Sequence, residues 1–144
     1  ELLKKSLSKN SVVLKNGKPV LQVGIISSNE KIPMNVELDD SANIYLPNTH
    51  SILIGSACNN KLTKATLELT AGEDCNKGVI PGQARIQLKT LHGGKTTIML
   101  IYGINEEDTR MAAQALVRGL KETLIGTDFR VSQEFGDLKI TKLG

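Results

Sequence analysis

Lys95-Thr96-Thr97-Ile98-Met99-Leu100-Ile101-Tyr102-Gly103-Ile104-Asn105-Glu106-Glu107-Asp108-Thr109-Arg110-Met111-Ala112-Ala113-Gln114-Ala115-Leu116 decides how this chain folds. Lys95 to Tyr102 is an apolar, β-branched run of strand length, and Gly103 then turns the chain. Asn105 is a good helix N-cap. Asp108 stands three residues later, where a side chain can reach back to the cap, and acidic residues fill the first turn against the helix dipole. Met111, Ala112, Ala115, Leu116 and Leu120 recur at helical spacing, and the alanines let such a helix lie close to a sheet. The segment therefore reads as a strand feeding a helix. A helix start after a glycine turn also suits anions. Here Glu106, Glu107 and Asp108 put carboxylates where a phosphate would sit, and no Gly-rich dinucleotide or P-loop pattern precedes the helix.

Further strands surround this unit. Gln83 to Lys89 and Thr96 to Tyr102 form strands across the His92-Gly93-Gly94 turn, which demands antiparallel neighbours. Ser11 to Lys15 and Lys18 to Ile26 flank Asn16-Gly17, the strongest hairpin signal in the chain, with Pro19 keeping one strand near an edge. Ser51 to Ala57 is an apolar strand, and Asn60 to Ala71 reads as a helix with Leu62, Ala65, Thr66 and Leu69 on one face. That succession resembles a parallel crossover unit. Asp128 to Glu134 alternates through Phe129 and Val131, Gly126 starts a turn before it, and Asp137 to Leu143 adds a final strand. Residues 1–10 form a polar peripheral lead or linker, and residues 32–46 alternate only weakly. The fold class is α/β or α+β: a mixed β-sheet packed by two main helices, with an N-terminal β-hairpin.

A chain of 144 residues suits a single domain, residues 1–144, able to bury about two-thirds of its unfolded surface. Two Tyr, two Phe and no Trp require an aliphatic core and argue against single-strand nucleic-acid binding, which stacks bases on aromatic side chains. The net charge of +3 comes from lysines spread along the chain, which reads as a solvated surface rather than a nucleic-acid patch. No apolar stretch reaches the roughly 18 residues of a membrane span. The chain starts at Glu1 and lacks a signal peptide's apolar core, so it reads as a mature chain or a piece of a longer protein.

Cys58 and Cys75 lie in loop-like surroundings. On composition alone they are either a disulfide, which would stabilise by about 3 kcal/mol in the chain-entropy model, or two free thiols. A zinc site would need two more ligands, with only His50 and His92 to supply them, and both read as surface histidines. A Cys–His nucleophile pair through Cys58 lacks an orienting third group.

Three blocks occur together: Ser51-Ile52-Leu53-Ile54-Gly55-Ser56-Ala57-Cys58-Asn59-Asn60, then Cys75-Asn76-Lys77-Gly78-Val79-Ile80-Pro81-Gly82, then the Gly103 to Ala113 stretch. In order and spacing they resemble the surface-layer (S-layer) protein domain of archaea over residues 51–131. That family shows an apolar strand into Gly-Gly-Pro-Cys-x-Asn, a Cys with a following Pro-Gly, and Gly-Tyr-x-x-x-Asp-Thr-Arg-x-Ala-Ala. Ser56 and Ala57 depart from the first pattern, standing where Gly and Pro are usual. The resemblance implies that Cys58 and Cys75 are bridged. It implies that Gly55, Asn60, Pro81, Gly82, Gly103, Asn105, Asp108, Thr109 and Arg110 set turns and the helix cap, with Asp108 a cap partner and Arg110 a buried or bridging donor. It implies a non-enzymatic structural domain of an extracellular, cell-surface protein, without cofactor or metal, whose partners are other copies of itself or other surface-protein domains. The chain holds no Asn-x-Ser/Thr glycosylation sequon, which is unexpected for a coat protein. The alternative, from another class, is a small α/β ligand-binding or enzymatic domain using the crevice near residues 55–60 and 103–105, where strand ends meet helix starts. A third reading is an interaction module of a longer surface protein that forms no lattice.

Overall fold

The strand Thr96–Gly103 is buried along its entire length, and the remaining elements are arranged to cover it. The computed structural model describes residues 11–15, 18–23, 42–119 and 124–144, with backbone alone at 11–15, 18–23, 119 and 124. In chain order the elements are β1 (Ser11–Lys15), β2 (Lys18–Val23), β3 (His50–Ile54), α1 (Lys61–Thr66), β4 (Gln83–Leu91), a 3₁₀ turn (His92–Gly94), β5 (Thr96–Gly103), α2 (Glu106–Gly119), β6 (Leu124–Gly126), β7 (Asp128–Glu134) and β8 (Asp137–Lys142). A five-stranded sheet has the order β3-β5-β4-β7-β8, and β1, β2 and β6 form a second set. β3 runs parallel to β5, and every other pairing in the larger sheet is antiparallel. Among the described residues this is an α+β fold with a mixed sheet and two helices.

Register makes the two cores. Ile86 of β4 stands opposite both Ile101 of β5 and Phe129 of β7, and Leu88 stands opposite Met99. These side chains share one face, where Ala112, Ala115 and Leu116 of α2 close over them. Both alanines are almost fully buried, as close helix–sheet packing requires. The intervening residues Ile98, Leu100 and Tyr102 face the opposite way into a second cluster with Ile44 and Leu53, bordered by Leu62, Leu67 and Val79. The helices thus lie on opposite faces of the sheet.

Two expectations need adjusting. The helix read over Asn60 to Ala71 ends at Thr66, because Leu67 caps it and Glu68 takes a left-handed φ of 58° that no helix continues through. Gly126 closes β6 rather than starting a turn, and a Cβ there would stand 2.7 Å from the Gly144 carbonyl oxygen and 2.9 Å from the Phe129 ring. β1 and β2 lie antiparallel with Val13 opposite Val20. The Asn16-Gly17 turn expected between them, the lead at residues 1–10, most of the ambiguous stretch 32–46 and the helical position Leu120 lie outside the described residues.

The double-sided burial of β5 sets a clear expectation. Ile101→Ala should cost about 2–5 kcal/mol in chemical denaturation, since it leaves a cavity between sheet and α2. Ile54→Ala, at the half-exposed end of β3, should cost about 0.5 kcal/mol or less.

Candidate functional site at the carboxyl ends of β3 and β5

Parallel neighbours β3 and β5 end side by side, tied by the Gly55 amide donating to the Ile101 carbonyl at 3.0 Å. From there the chain turns into α1 on one face and α2 on the other. Asn60 caps α1, its Oδ1 accepting from the amides of Leu62 and Thr63 at 3.0 Å each, while its Nδ2 donates back to the Ile54 carbonyl at 3.3 Å. Gly55, with φ of 129°, takes a conformation that side chains resist.

The start of α2 is built more tightly. Asn105 Oδ1 accepts from the Asp108 amide at 2.8 Å, as an N-cap should. The Thr109 hydroxyl donates to the Asn105 carbonyl at 2.9 Å and accepts from the Gly103 amide at 3.0 Å. Gly103 has no room for a side chain: a Cβ would lie 2.5 Å from Asp108 Cβ and 3.0 Å from the Thr109 amide nitrogen. Asp108, 8% exposed, does not reach back to its own cap. Its Oδ2 accepts instead from the Gly82 amide at 3.2 Å, across 26 positions of sequence. Gly82, with φ of 78°, follows Pro81 in a type II turn closed by the Gln83 amide on the Ile80 carbonyl. That turn aims the Gly82 N–H at Asp108.

Arg110 is not buried. It is exposed and pairs with Glu106 one turn earlier at 2.7 Å. Cys58 and Cys75 are disulfide-bonded, with Cα atoms 5.1 Å apart, which removes both sulfurs as nucleophiles or metal ligands. His50 and His92 are exposed. The Ser56 hydroxyl, in a residue 3% exposed, has no hydrogen-bond partner, and neither do the hydroxyls of Thr63 and Thr66 in α1.

Beside this site runs a polar brace that the sequence reading missed. Arg85 Nη2 holds both carboxylate oxygens of Asp128, at 2.7 and 2.6 Å, and its Nη1 donates to the Gly78 carbonyl at 3.4 Å. Gln87 Nε2 donates to Asp128 at 3.1 Å, and the Tyr102 hydroxyl donates to Gln87 Oε1 at 2.8 Å. Burial, with the Asp128 charge added and Arg85 opposing, pushes the Tyr102 hydroxyl up to about 12. The alternation of Gln83, Arg85 and Gln87 with Ala84, Ile86 and Leu88 marks a polar face of β4. Only the pairing of Gln87 with Asp128 says what that face meets. On the adjoining loop, a 2.7 Å bond from Lys77 holds Glu73 below the usual carboxylate range and raises Lys77 in turn.

The described residues define an α+β domain whose loops at one sheet end are tied by a disulfide, two asparagine caps and a buried aspartate. Among them no three His, Cys, Asp or Glu side chains gather as a metal site. No helix there is long and apolar enough to cross a membrane. No family model matches the chain, and no curated protein or solved structure matches it either.

Gly103→Ala should cost about 1–3 kcal/mol by overpacking, and Asn105→Ala about 1 kcal/mol through loss of the cap, both measured by denaturant unfolding. Tyr102 sets an alkaline limit. Its folded-state pKa of about 12 exceeds the ordinary value near 10, so the unfolded chain loses the proton first. Its contribution is complete below about pH 10 and fades as pH rises through about 12, by roughly 2–3 kcal/mol. Tyr102→Phe should flatten that fall when stability is followed against pH.

Proposed function

We propose that this chain is a non-enzymatic structural domain of an extracellular S-layer-type surface protein, of the archaeal kind its motifs resemble, acting through contacts with other copies or other surface-protein domains. The observation that carries the reading is the Cys58–Cys75 bond, which joins the two motif blocks where the resemblance pairs them. A disulfide between loops belongs to an oxidising compartment outside the cytoplasm. The manner in which the motif side chains are used supports the same reading. Asn60, Asn105, Asp108 and Thr109 each bond to backbone amides or carbonyls of the chain itself, which is how residues that shape loops behave.

Mass measurement of the chain from its natural source, alkylated with and without prior reduction, tests the compartment. No label before reduction and two labels after it are expected; two labels without reduction would sink the extracellular assignment. Replacing both cysteines by serine should lower stability by about 3 kcal/mol and leave the sheet intact by circular dichroism.

One observation favours the second reading, a ligand-binding domain. Adjacent parallel strands β3 and β5 send their helices to opposite faces, the arrangement at which open α/β sheets hold ligands beyond their strand ends. The buried Ser56 hydroxyl lies at that point. A nucleotide or sugar that raises the melting temperature in proportion to the logarithm of its concentration would favour this reading, and the absence of any such shift across a screen would retire it.

A further inference from the structure

We propose that Arg130, with Gln83, Ser132 and Thr141 around it, binds the carboxylate of an acidic saccharide on the polar half of the five-stranded sheet. The inference is independent of the coat reading and of the crevice beyond β3 and β5, since it concerns another part of the molecule.

Strand register brings the four side chains together. Arg130 of β7 is the partner of Arg85 in β4 and of Thr141 in β8, and Ser132 is the partner of Gln83 and of Lys139. Residues opposite one another point to the same side of a sheet, and so do alternate residues of one strand. Arg85 is opposite Tyr102, so all six of these side chains lie on the face of the second apolar cluster. That face changes character across the sheet. Over β3 and β5 it is apolar and bordered by Leu62, Leu67 and Val79. At Arg85, whose Nη1 reaches the Gly78 carbonyl, it becomes polar, and β7 and β8 add Arg130, Ser132, Lys139 and Thr141. The two rows, three strands wide, cover about 10 Å by 7 Å.

Neighbouring polar groups on this face are committed, and these four are not. Arg85 and Gln87 hold Asp128, Tyr102 holds Gln87, and Lys139 bridges Glu134 at 2.9 Å. Among the described residues, Gln83, Arg130, Ser132 and Thr141 make no side-chain hydrogen bond or ion pair, although each is only partly exposed. Arg130 is the sharpest case. It stands directly opposite Arg85, and like charges placed so are destabilising. Asp128 compensates Arg85 alone, with both carboxylate oxygens on that guanidinium. Folding gains nothing from a cation at position 130, whereas an arriving anion finds one in place with no partner to displace.

The charge count selects the ligand. With Arg85 and Lys139 neutralised by Asp128 and Glu134, the patch offers one uncommitted cation framed by two hydroxyls and an amide. One guanidinium matches one carboxylate, which it can hold bidentately. A densely charged polyanion such as nucleic acid would meet Asp128 and Glu134 with too few cations in return. Hydroxyl and amide groups that both donate and accept suit the hydroxyls of a sugar ring. The two rows hold no apolar side chain on which a peptide could be anchored.

Isothermal titration of the full chain with tri-galacturonic acid tests this, with galactotriose, a tri-glutamate peptide and inorganic sulfate as comparisons. The acidic saccharide should bind, and the neutral one at least about tenfold more weakly. Arg130→Gln should weaken binding at least about tenfold, and Arg130→Lys should recover only part of the loss, because an ammonium lacks the planar fork. Ser56→Ala, at the other sheet end, should leave the affinity unchanged. Arg130→Gln should also melt at or above the wild-type temperature without ligand, since it removes the opposed charge. Failure of tri-galacturonic acid to bind, undiminished binding by Arg130→Gln, or equal affinity for galactotriose, the peptide or sulfate would overturn the proposal. A clear fall in melting temperature for Arg130→Gln would overturn it too, by giving Arg130 a structural role. None of these results bears on the Cys58–Cys75 measurement, which tests the coat reading separately.

Discussion

Strand β5 buries Ile98, Leu100 and Tyr102 on one face and Met99 and Ile101 on the other, so neither face can be left to water and two separate layers must cover it. Each buried aliphatic side chain contributes about 1.5–3 kcal/mol, which makes this strand the largest concentration of apolar burial in the described chain. Its neighbours inherit their roles from that demand. α2, narrowed by Ala112 and Ala115, comes close enough to seal one face. The second face is sealed by a looser collection: the Ile44 segment, Leu62 and Leu67 around α1, and Val79.

A cover built of loops must be held down, and the three ties on the 75–82 segment differ in strength. The Cys58–Cys75 bond closes its loop permanently and contributes about 3 kcal/mol through the unfolded chain. Asp108 on the Gly82 amide and Arg85 on the Gly78 carbonyl are charge-assisted hydrogen bonds, each contributing about 1.5–3 kcal/mol where burial is good and less at the long 3.4 Å contact. The one-turn Lys77–Glu73 and Arg110–Glu106 pairs at the surface are screened by water and belong to a weaker class. The disulfide therefore dominates the loop. The Arg85–Asp128–Gln87–Tyr102 brace does different work: it lets a polar stripe of β4 and β7 border an apolar cluster without leaving buried donors unmet.

The same economy shows at the sheet ends. Beyond β3 and β5, Asn60, Asn105, Asp108 and Thr109 are all committed to backbone groups, which ties the loops at that end. The β7–β8 tip is the opposite case, because Phe135 is supported by nothing in its own chain and its backbone would prefer another residue. Stability and surface chemistry are thus assigned to different parts of one small sheet.

The amino-acid sequence by itself determined the strand, turn and helix over Lys95 to Leu116, the antiparallel partner across His92-Gly93-Gly94, and the cap at Asn105. These depend on periodicity and on bonds spanning a few residues, so the information is local. The tertiary structure decided that Asp108 serves Gly82 instead of its own cap, that Arg110 lies exposed on Glu106, and that α1 stops at Thr66. It also decided that Arg85 and Asp128, 43 positions apart, form one brace, and that Phe129 turns into the core while Phe135 stands in water. The Arg85–Asp128 brace and the placing of Phe129 hang on strand register. A shift of one residue in the β4–β7 pairing would turn Asp128 and Phe129 to the opposite faces of the sheet, and no local pattern records which register the packed core selects.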